Sequence, residues 1–361
     1  MKKSILSIVS ILVVSASSYA QTIMAPFCPN AEPRLWGFIN EKGEEVIPAT
    51  YDEVLEFSNE GATLVRKGKA WSVINKSNEE VVVEAKGFAP MSIFGFGKRG
   101  YSDGLLVIGQ GKLLGVIDTK GKTIHQFKYT TISDFENGVA TAKIGKEFFI
   151  LKADGTTIPV PNVIDLDYHK EGLIPFQIAS KLFGYMDASG KEVIAPAYKS
   201  VGYFSNGLAW VKNTDGTVGY IDKTGKNVIA AKFLAAKEFD KVVGVARVKA
   251  GDEWMYLRKN GETFTVNGAT GLGDFSDGLA YAKMGEKVGF VNDKGEWTIE
   301  AKFDKVRDFQ AGYAAVRVGE KWGVINKKGE FVVEPKFYDI KNFSKVISFV
   351  ISFTALMVIS L

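Results

Sequence analysis

The stretch Lys321–Phe337, KWGVINKKGEFVVEPKF, decides the fold, because most of the chain superposes on it. It holds a Trp322-Gly323 pair, a polar step from Asn326 to Gly329 and an apolar run that ends at Phe337. With Trp322 taken as a slot, equivalent positions fall at Trp36, Trp71, Leu114, Phe148, Phe183, Val218, Trp254 and Val288. The successive steps are 35, 43, 34, 35, 35, 36, 34 and 34 residues. A fixed period of this size marks a repeat architecture, in which each unit is too small to bury its own apolar face and does so against its neighbours.

Other positions keep the phase. Seven residues beyond the slot stand Gly43, Gly121, Gly155, Gly190, Gly225, Gly261, Gly295 and Gly329, with Asn78 in the remaining repeat. Asparagine is the residue that best tolerates a left-handed backbone after glycine. Four beyond the slot come Asn40, Asn75, Asp118, Asp187, Asp222, Asn292 and Asn326. An Asx opening and a glycine close predict a type I turn with a glycine bulge between antiparallel strands. The two repeats without that opening carry Asp154-Gly155 and Asn260-Gly261, which restore turn chemistry locally. β-Branched pairs such as Val332-Val333 follow the turn. A phenylalanine recurs twenty-one residues after the slot at Phe57, Phe135, Phe204, Phe239, Phe275, Phe309 and Phe343. A polar turn and a further strand, as in Gly312–Val316, complete the unit. The pattern predicts about three short strands per repeat and no helix.

The core Trp-Gly-x-Ile-Asn-x-x-Gly-x-x-Val-x-x-Pro-x-Phe over Trp322–Phe337 resembles the WG (or KWG) repeat family of bacterial β-rich proteins. The likeness runs from Leu35 to Ser344, with full Trp-Gly pairs at Trp36-Gly37 and Trp322-Gly323. It implies a repeat-built protein that binds a ligand or partner, and it carries over no catalytic residue. The expected fold is all-β: nine hairpin or meander repeats of about 35 residues in an open or superhelical solenoid. A closed, propeller-like array is the alternative. Nine three-stranded blades would exceed the usual four to eight of four strands, and an incomplete last unit would hinder closure.

Composition narrows the function. The 45 basic and 41 acidic residues, net +4, are interspersed, so no one-sided basic footprint for nucleic acid forms. Residues 1–20 read as a signal peptide: Lys2 and Lys3, an apolar run from Ile5 to Val14, and Ser18-Tyr19-Ala20 before a cut at Gln21. Export to the periplasm, cell surface or medium is expected. Residues 21–34 read as a flexible leader carrying Cys28, an unpaired thiol in a chain with no second cysteine. The repeat domain covers 35–344. After Ser344 the phase is lost, and 345–361 read as an apolar tail. It is a capping strand in the missing third-strand position, a membrane anchor, or sequence from a shifted reading frame. As a helix its sixteen uncharged residues span about 24 Å, short of a bilayer core. The abrupt loss of phase favours the shifted frame.

Candidate sites fall where the pattern breaks. The long step between Trp71 and Leu114 hides an insertion at 89–100. Its Gly95–Gly100 matches G-x-G-x-x-G but opens no helix, so the match is accidental. Phe94, Phe96, Lys98, Arg99 and Tyr101 form a candidate partner-contact loop, since insertions on repeat scaffolds fall on a binding face. Trp210, Tyr281 and Trp297 are candidate exposed aromatics for a cell-envelope glycan. His125 and His169 occupy apolar slots and read as core histidines rather than metal ligands. Glu44-Glu45, Glu79-Glu80 and Asp165/Asp167 read as surface charge on strands. No catalytic residue, cofactor or metal is expected. The functional expectation is a non-enzymatic exported scaffold that binds a protein or a glycan of the envelope, with membrane association only if the tail is an anchor.

Overall fold

The turn chemistry acts as its residues predict. Asn326 Oδ1 accepts the backbone N–H groups of Lys328 at 2.9 Å and Glu330 at 3.2 Å, and Gly329 donates to Asn326 O at 3.0 Å. Gly329 has φ +80°, and Asn78, the one non-glycine in this slot, has φ +64°. The strands flanking the turn, Lys321–Asn326 and Phe331–Phe337, pair antiparallel with a register shift at Gly323. A Cβ on Gly323 would lie 2.6 Å from Val333 O, so the glycine of the Trp-Gly pair is required by a bulged partner strand.

The computed structural model describes residues 19–93 and 97–349. They form strands and turns, with no helix among them. Each sheet has one strand more than the three expected. In the unit above the extra strand is Lys305–Val306, followed in order by Tyr313–Val318 and the two hairpin strands. Two residues are too few to show alternation, so the strand leaves no periodic mark in the sequence.

Eight such four-stranded sheets and a ninth with a fifth strand make nine blades. Blade 1 holds Trp36, and blades 2 to 9 follow in chain order. The slot residue opens the third strand of a blade. Each sequence repeat therefore supplies the outer two strands of one blade and the inner two of the next. The core lies between blades. One buried cluster joins Leu279, Phe290 and Ile299 of blade 8 to Ala314, Val316 and Ile325 of blade 9.

This half-blade offset decides closure. The first repeat provides only the outer strands of blade 1, Trp36–Asn40 and Glu45–Tyr51. Its second strand is Tyr19–Cys28, from the N-terminal side, and its first is Asp339–Ile340, from the C-terminal side. They pair antiparallel with Phe27 opposite Ile340 and Cys28 opposite Asp339. Blade 1 packs on blade 2 through Met24, Phe38, Val54 and Val65, and on blade 9 through Phe27, Ile39, Trp322 and Val324. The first and last repeats thus share a sheet. The expected open solenoid is incorrect, and the chain is a closed nine-bladed β-propeller. The unit that looked incomplete is completed by the other end of the chain, a common route to closing such rings without an exposed edge.

Two further expectations change. Residues 21–34 are not a flexible leader in the fold, because Cys28 is fully buried in blade 1 and its Sγ lies 3.0 Å from Asn30 O. After Ser344 the chain stays extended: Ser344–Phe349 pairs with Tyr19–Met24, and Val346 is fully buried. The third-strand position expected to be missing is taken by the N-terminal strand. Residues 1–18 of the expected signal peptide and the tail from residue 350 lie outside the described residues.

Candidate functional site

The recurrent phenylalanine meets a second ring that the sequence reading missed. Two residues after the slot stand Phe38, Tyr185, Tyr220, Tyr256 and Phe290, all fully buried. Each packs against the phenylalanine nineteen residues later, in the next blade: Phe38 on Phe57 at 4.6 Å, Tyr220 on Phe239 at 4.8 Å, Phe290 on Phe309 at 4.7 Å between centroids. The tyrosine hydroxyls donate to backbone oxygens of that blade, Tyr185 to Gly202 at 2.8 Å and Tyr256 to Gly273 at 2.9 Å. Desolvation pushes both phenols far above their usual range. These rings join blades and leave no aromatic face for a ligand. A search for an aromatic at a second fixed offset from the slot would have found them.

Turn carboxylates make a second set of inter-blade ties. Glu171 accepts backbone N–H groups from Asn206 at 2.7 Å and Gly207 at 3.0 Å in the following blade, and Asp277 accepts one from Gly312 at 2.6 Å. Lys223 and Lys327, each just beyond a hairpin turn's Asx residue, pair with Glu171 and Asp277 at 3.4 Å and 2.9 Å.

The residue just before each phenylalanine position, in most blades close behind a two-residue inner strand, lies toward the propeller axis. Around the ring these are Glu56, Gly100, Asp134, Tyr168, Tyr203, Glu238, Asp274, Asp308 and Asn342. Several carboxylates here have internal donors. Glu238 Oε1 accepts from Trp210 Nε1 at 3.2 Å, and Asp274 takes a bidentate pair from Arg247 at 2.5 and 2.9 Å. Asp134 pairs with Arg99 at 3.3 Å. Tyr168 and Tyr203 stack at 5.9 Å with an 11° interplanar angle, and Tyr203 donates to Asp167 Oδ1 at 2.6 Å. Partial desolvation raises the carboxyl pKa of Glu56, Asp134 and Asp308; for Asp308 the nearby charge of Asp274 adds to it.

The residues expected to form a contact loop do something else. Arg99 is 8% exposed and reaches across two blades: Nη1 donates to Ile132 O at 3.2 Å, Nη2 bonds the Tyr168 hydroxyl, and the guanidinium lies 5.3 Å from that ring's centroid. Tyr101 occupies the phenylalanine position of its blade and donates to Asp118 O at 3.3 Å. Both anchor the insertion to the blades. Lys98 is in a short strand, Gly97–Lys98, paired with Ser92–Ile93. Phe94 and Phe96 lie outside the described residues.

Trp210, Tyr281 and Trp297 are half-buried. Trp210 lies over Gly202, where a Cβ would sit 2.1 Å from its Nε1, and Tyr281 lies over Gly273 in the same way. Trp297 is on a fourth strand and donates to Asn267 O at 3.1 Å. The histidines are core residues: His125 Nε2 lies 2.8 Å from Lys152 O and His169 Nδ1 2.9 Å from Glu136 O, both 3% exposed. Burial lowers both pKa values. Among the described residues no group of three His, Cys, Asp or Glu side chains is placed to hold a metal ion.

The WG containing repeat family matches residues 36–71, 115–148, 183–216, 219–254, 289–322 and 322–345, more than half of the chain. The chain belongs to the WG repeat family. No curated protein matches the sequence of this WG repeat propeller. In fold it is similar to a solved structure described as the crystal structure of the eukaryotic initiation factor, with a TM-score of 0.61 at 9% identity over 90% of this chain and 98% of that one. At that identity the likeness is of fold alone. BamB from Moraxella catarrhalis is more distant, with a TM-score of 0.40 at 11% identity over 78% of this chain and 97% of that one. PorZ from Porphyromonas gingivalis gives 0.31 at 12% identity over 87% and 52%. Neither of these two bears on the argument.

Proposed function

We propose that this WG repeat propeller is an exported, non-enzymatic scaffold that binds a protein partner of the cell envelope at its axial end. One observation carries the reading. Positions that recur from repeat to repeat are consumed in turns and blade contacts, whereas the axial position changes from Glu to Gly, Asp, Tyr and Asn around the ring. Internal packing selects for sameness in a repeat protein, so side chains that differ at one equivalent position are free to follow a ligand. Trp210, Tyr281 and Trp297 are pinned to neighbouring backbone or side chains, which favours a protein over a glycan. The signal-like residues 1–20 support export.

The test is site-specific photo-crosslinking in cells. A photoreactive residue at Tyr168, on the axis, is expected to capture a protein that the same residue at Val332, on an exposed outer strand, does not. Equal capture from both positions, or none from position 168, refutes an axial partner. Mass spectrometry of the mature chain is expected to place its N-terminus at Gln21; an intact Met1 refutes export by cleavage. A glycan array run in parallel separates the glycan reading.

A further inference from the structure

We propose that the cavity between blades 8 and 9 binds a zwitterionic basic residue, its guanidinium or ammonium held by Asp308 and Asn342 and its carboxylate by Lys283 and Lys305. The cavity is about 510 Å³, within the range of small-ligand sites, and these four side chains line it together with Tyr281 and Asp304. The inference rests on the binding-scaffold reading and names a site for it.

Two other blades carry a contrasting arrangement. The middle residue of a blade's second strand lies across from the axial residue of the next blade, as the paired cases show. Arg247 donates to Asp274 and Trp210 to Glu238 from this position. By strand register the same position holds Tyr281 in blade 8 and Ala315 in blade 9, because Arg247 pairs with Tyr256, Tyr281 with Phe290 and Ala315 with Val324. Tyr281 makes no hydrogen bond to Asp308, and alanine has none to give to Asn342. Among the described residues the Asp308 carboxylate has no hydrogen-bond or ion-pair partner, and Asn342 Oδ1 is buried without one. A buried acceptor such as Asn342 Oδ1 is costly to leave unmade and rare in folded proteins, whereas the Asp308 carboxylate is exposed and open to an incoming cation.

The neighbouring cations are committed elsewhere. Arg307 donates to Ile340 O at 2.6 Å and Asp339 Oδ1 at 3.0 Å, and Lys341 to Val54 O at 2.8 Å. The second cavity, about 320 Å³ between blades 7 and 8, contrasts: its Arg247, Asp274 and Glu238 are already paired. The blade 8–9 cavity therefore presents a pair of oxygen acceptors where blades 6 and 7 carry an internal donor, Trp210 and Arg247. Lys283 and Lys305, both exposed, add positive charge at the same cavity.

The experiment titrates the full chain by calorimetry with Gly-Gly-Arg, its citrulline counterpart and its C-terminal amide. Gly-Gly-Arg is expected to bind, with citrulline and the amide each at least about tenfold weaker. Asp308→Asn is expected to abolish the preference for arginine over citrulline. Tyr281→Arg, which copies the Arg247 arrangement, is expected to fill the site internally and abolish binding while leaving the fold intact by circular dichroism. Equal binding of arginine and citrulline peptides, unchanged binding by Asp308→Asn, or no binding of Gly-Gly-Arg overturns the proposal. An axial crosslink from position 168 that persists in Asp308→Asn leaves the scaffold reading standing without this pocket.

Discussion

Ending the chain at Phe337 should open the ring. This removes the inner strand of blade 1 and its continuation, and with them Ile340, Phe343 and Val346, which are 0%, 2% and 0% exposed. Burying one such side chain stabilises by about 1.5–3 kcal/mol, so the three together contribute roughly 5–9 kcal/mol. The pairing of Phe27 with Ile340 and the bond from Lys341 Nζ to Val54 O at 2.8 Å are lost as well. A typical domain has only about 5–15 kcal/mol in total, so the truncated chain should unfold or expose blades 1 and 9 under native conditions. Urea unfolding followed by tryptophan fluorescence and near-UV circular dichroism measures this. Ile340→Ala provides a graded version, expected to cost about 2–5 kcal/mol. A chain ending at Phe349 separates the paired strand from the residues beyond it. If the chain ending at Phe337 keeps the urea midpoint of the full chain, the latch is not structural.

Further outcomes follow from particular contacts. Gly323→Ala should cost more than Gly319→Ala, since the first drives a methyl to 2.6 Å from Val333 O whereas the second meets nothing within 4 Å and only strains a φ of +61°. The expected penalty for the second is about 1–3 kcal/mol, and thermal unfolding ranks the two. Glu171→Ala strands the Asn206 and Gly207 N–H groups and should destabilise by about 1–3 kcal/mol, measured by chemical denaturation. His169→Phe restores the repeat's own residue and should remove an acid sensitivity. The folded pKa is depressed by burial below the ordinary 6.5, so the folded state binds fewer protons than the unfolded chain, and stability present above pH 6.5 is lost as pH falls through it. Unfolding midpoints at pH 8 and pH 5.5 should therefore differ less in His169→Phe than in the wild type.

The sequence alone determined the local units. A turn needs Asn or Asp to accept two backbone N–H groups and glycine to take a positive φ, and these demands are written residue by residue at Asn326 and Gly329 and at most of their equivalents. The recurring Phe309 position was legible as packing for the same reason: an identical environment nine times over asks for nearly identical side chains. His125 and His169 were legible as core residues because they stand in apolar slots. What escaped the sequence was whatever depends on residues far apart along the chain. Lys305–Val306 is too short for a periodic signal, and its neighbours in space, not its composition, make it a strand. The ring itself was undecided, since a period of ~35 residues suits an open or a closed array equally. Closure is settled by Phe27 meeting Ile340, over three hundred residues apart in sequence. The surroundings of Arg99 and Trp210 were not legible for the same cause: their partners, Tyr168 and Glu238, lie in other blades. Local hydrogen-bonding chemistry is readable along the chain; which blade edges meet, and which axial carboxylates are left without a donor, is decided by tertiary packing.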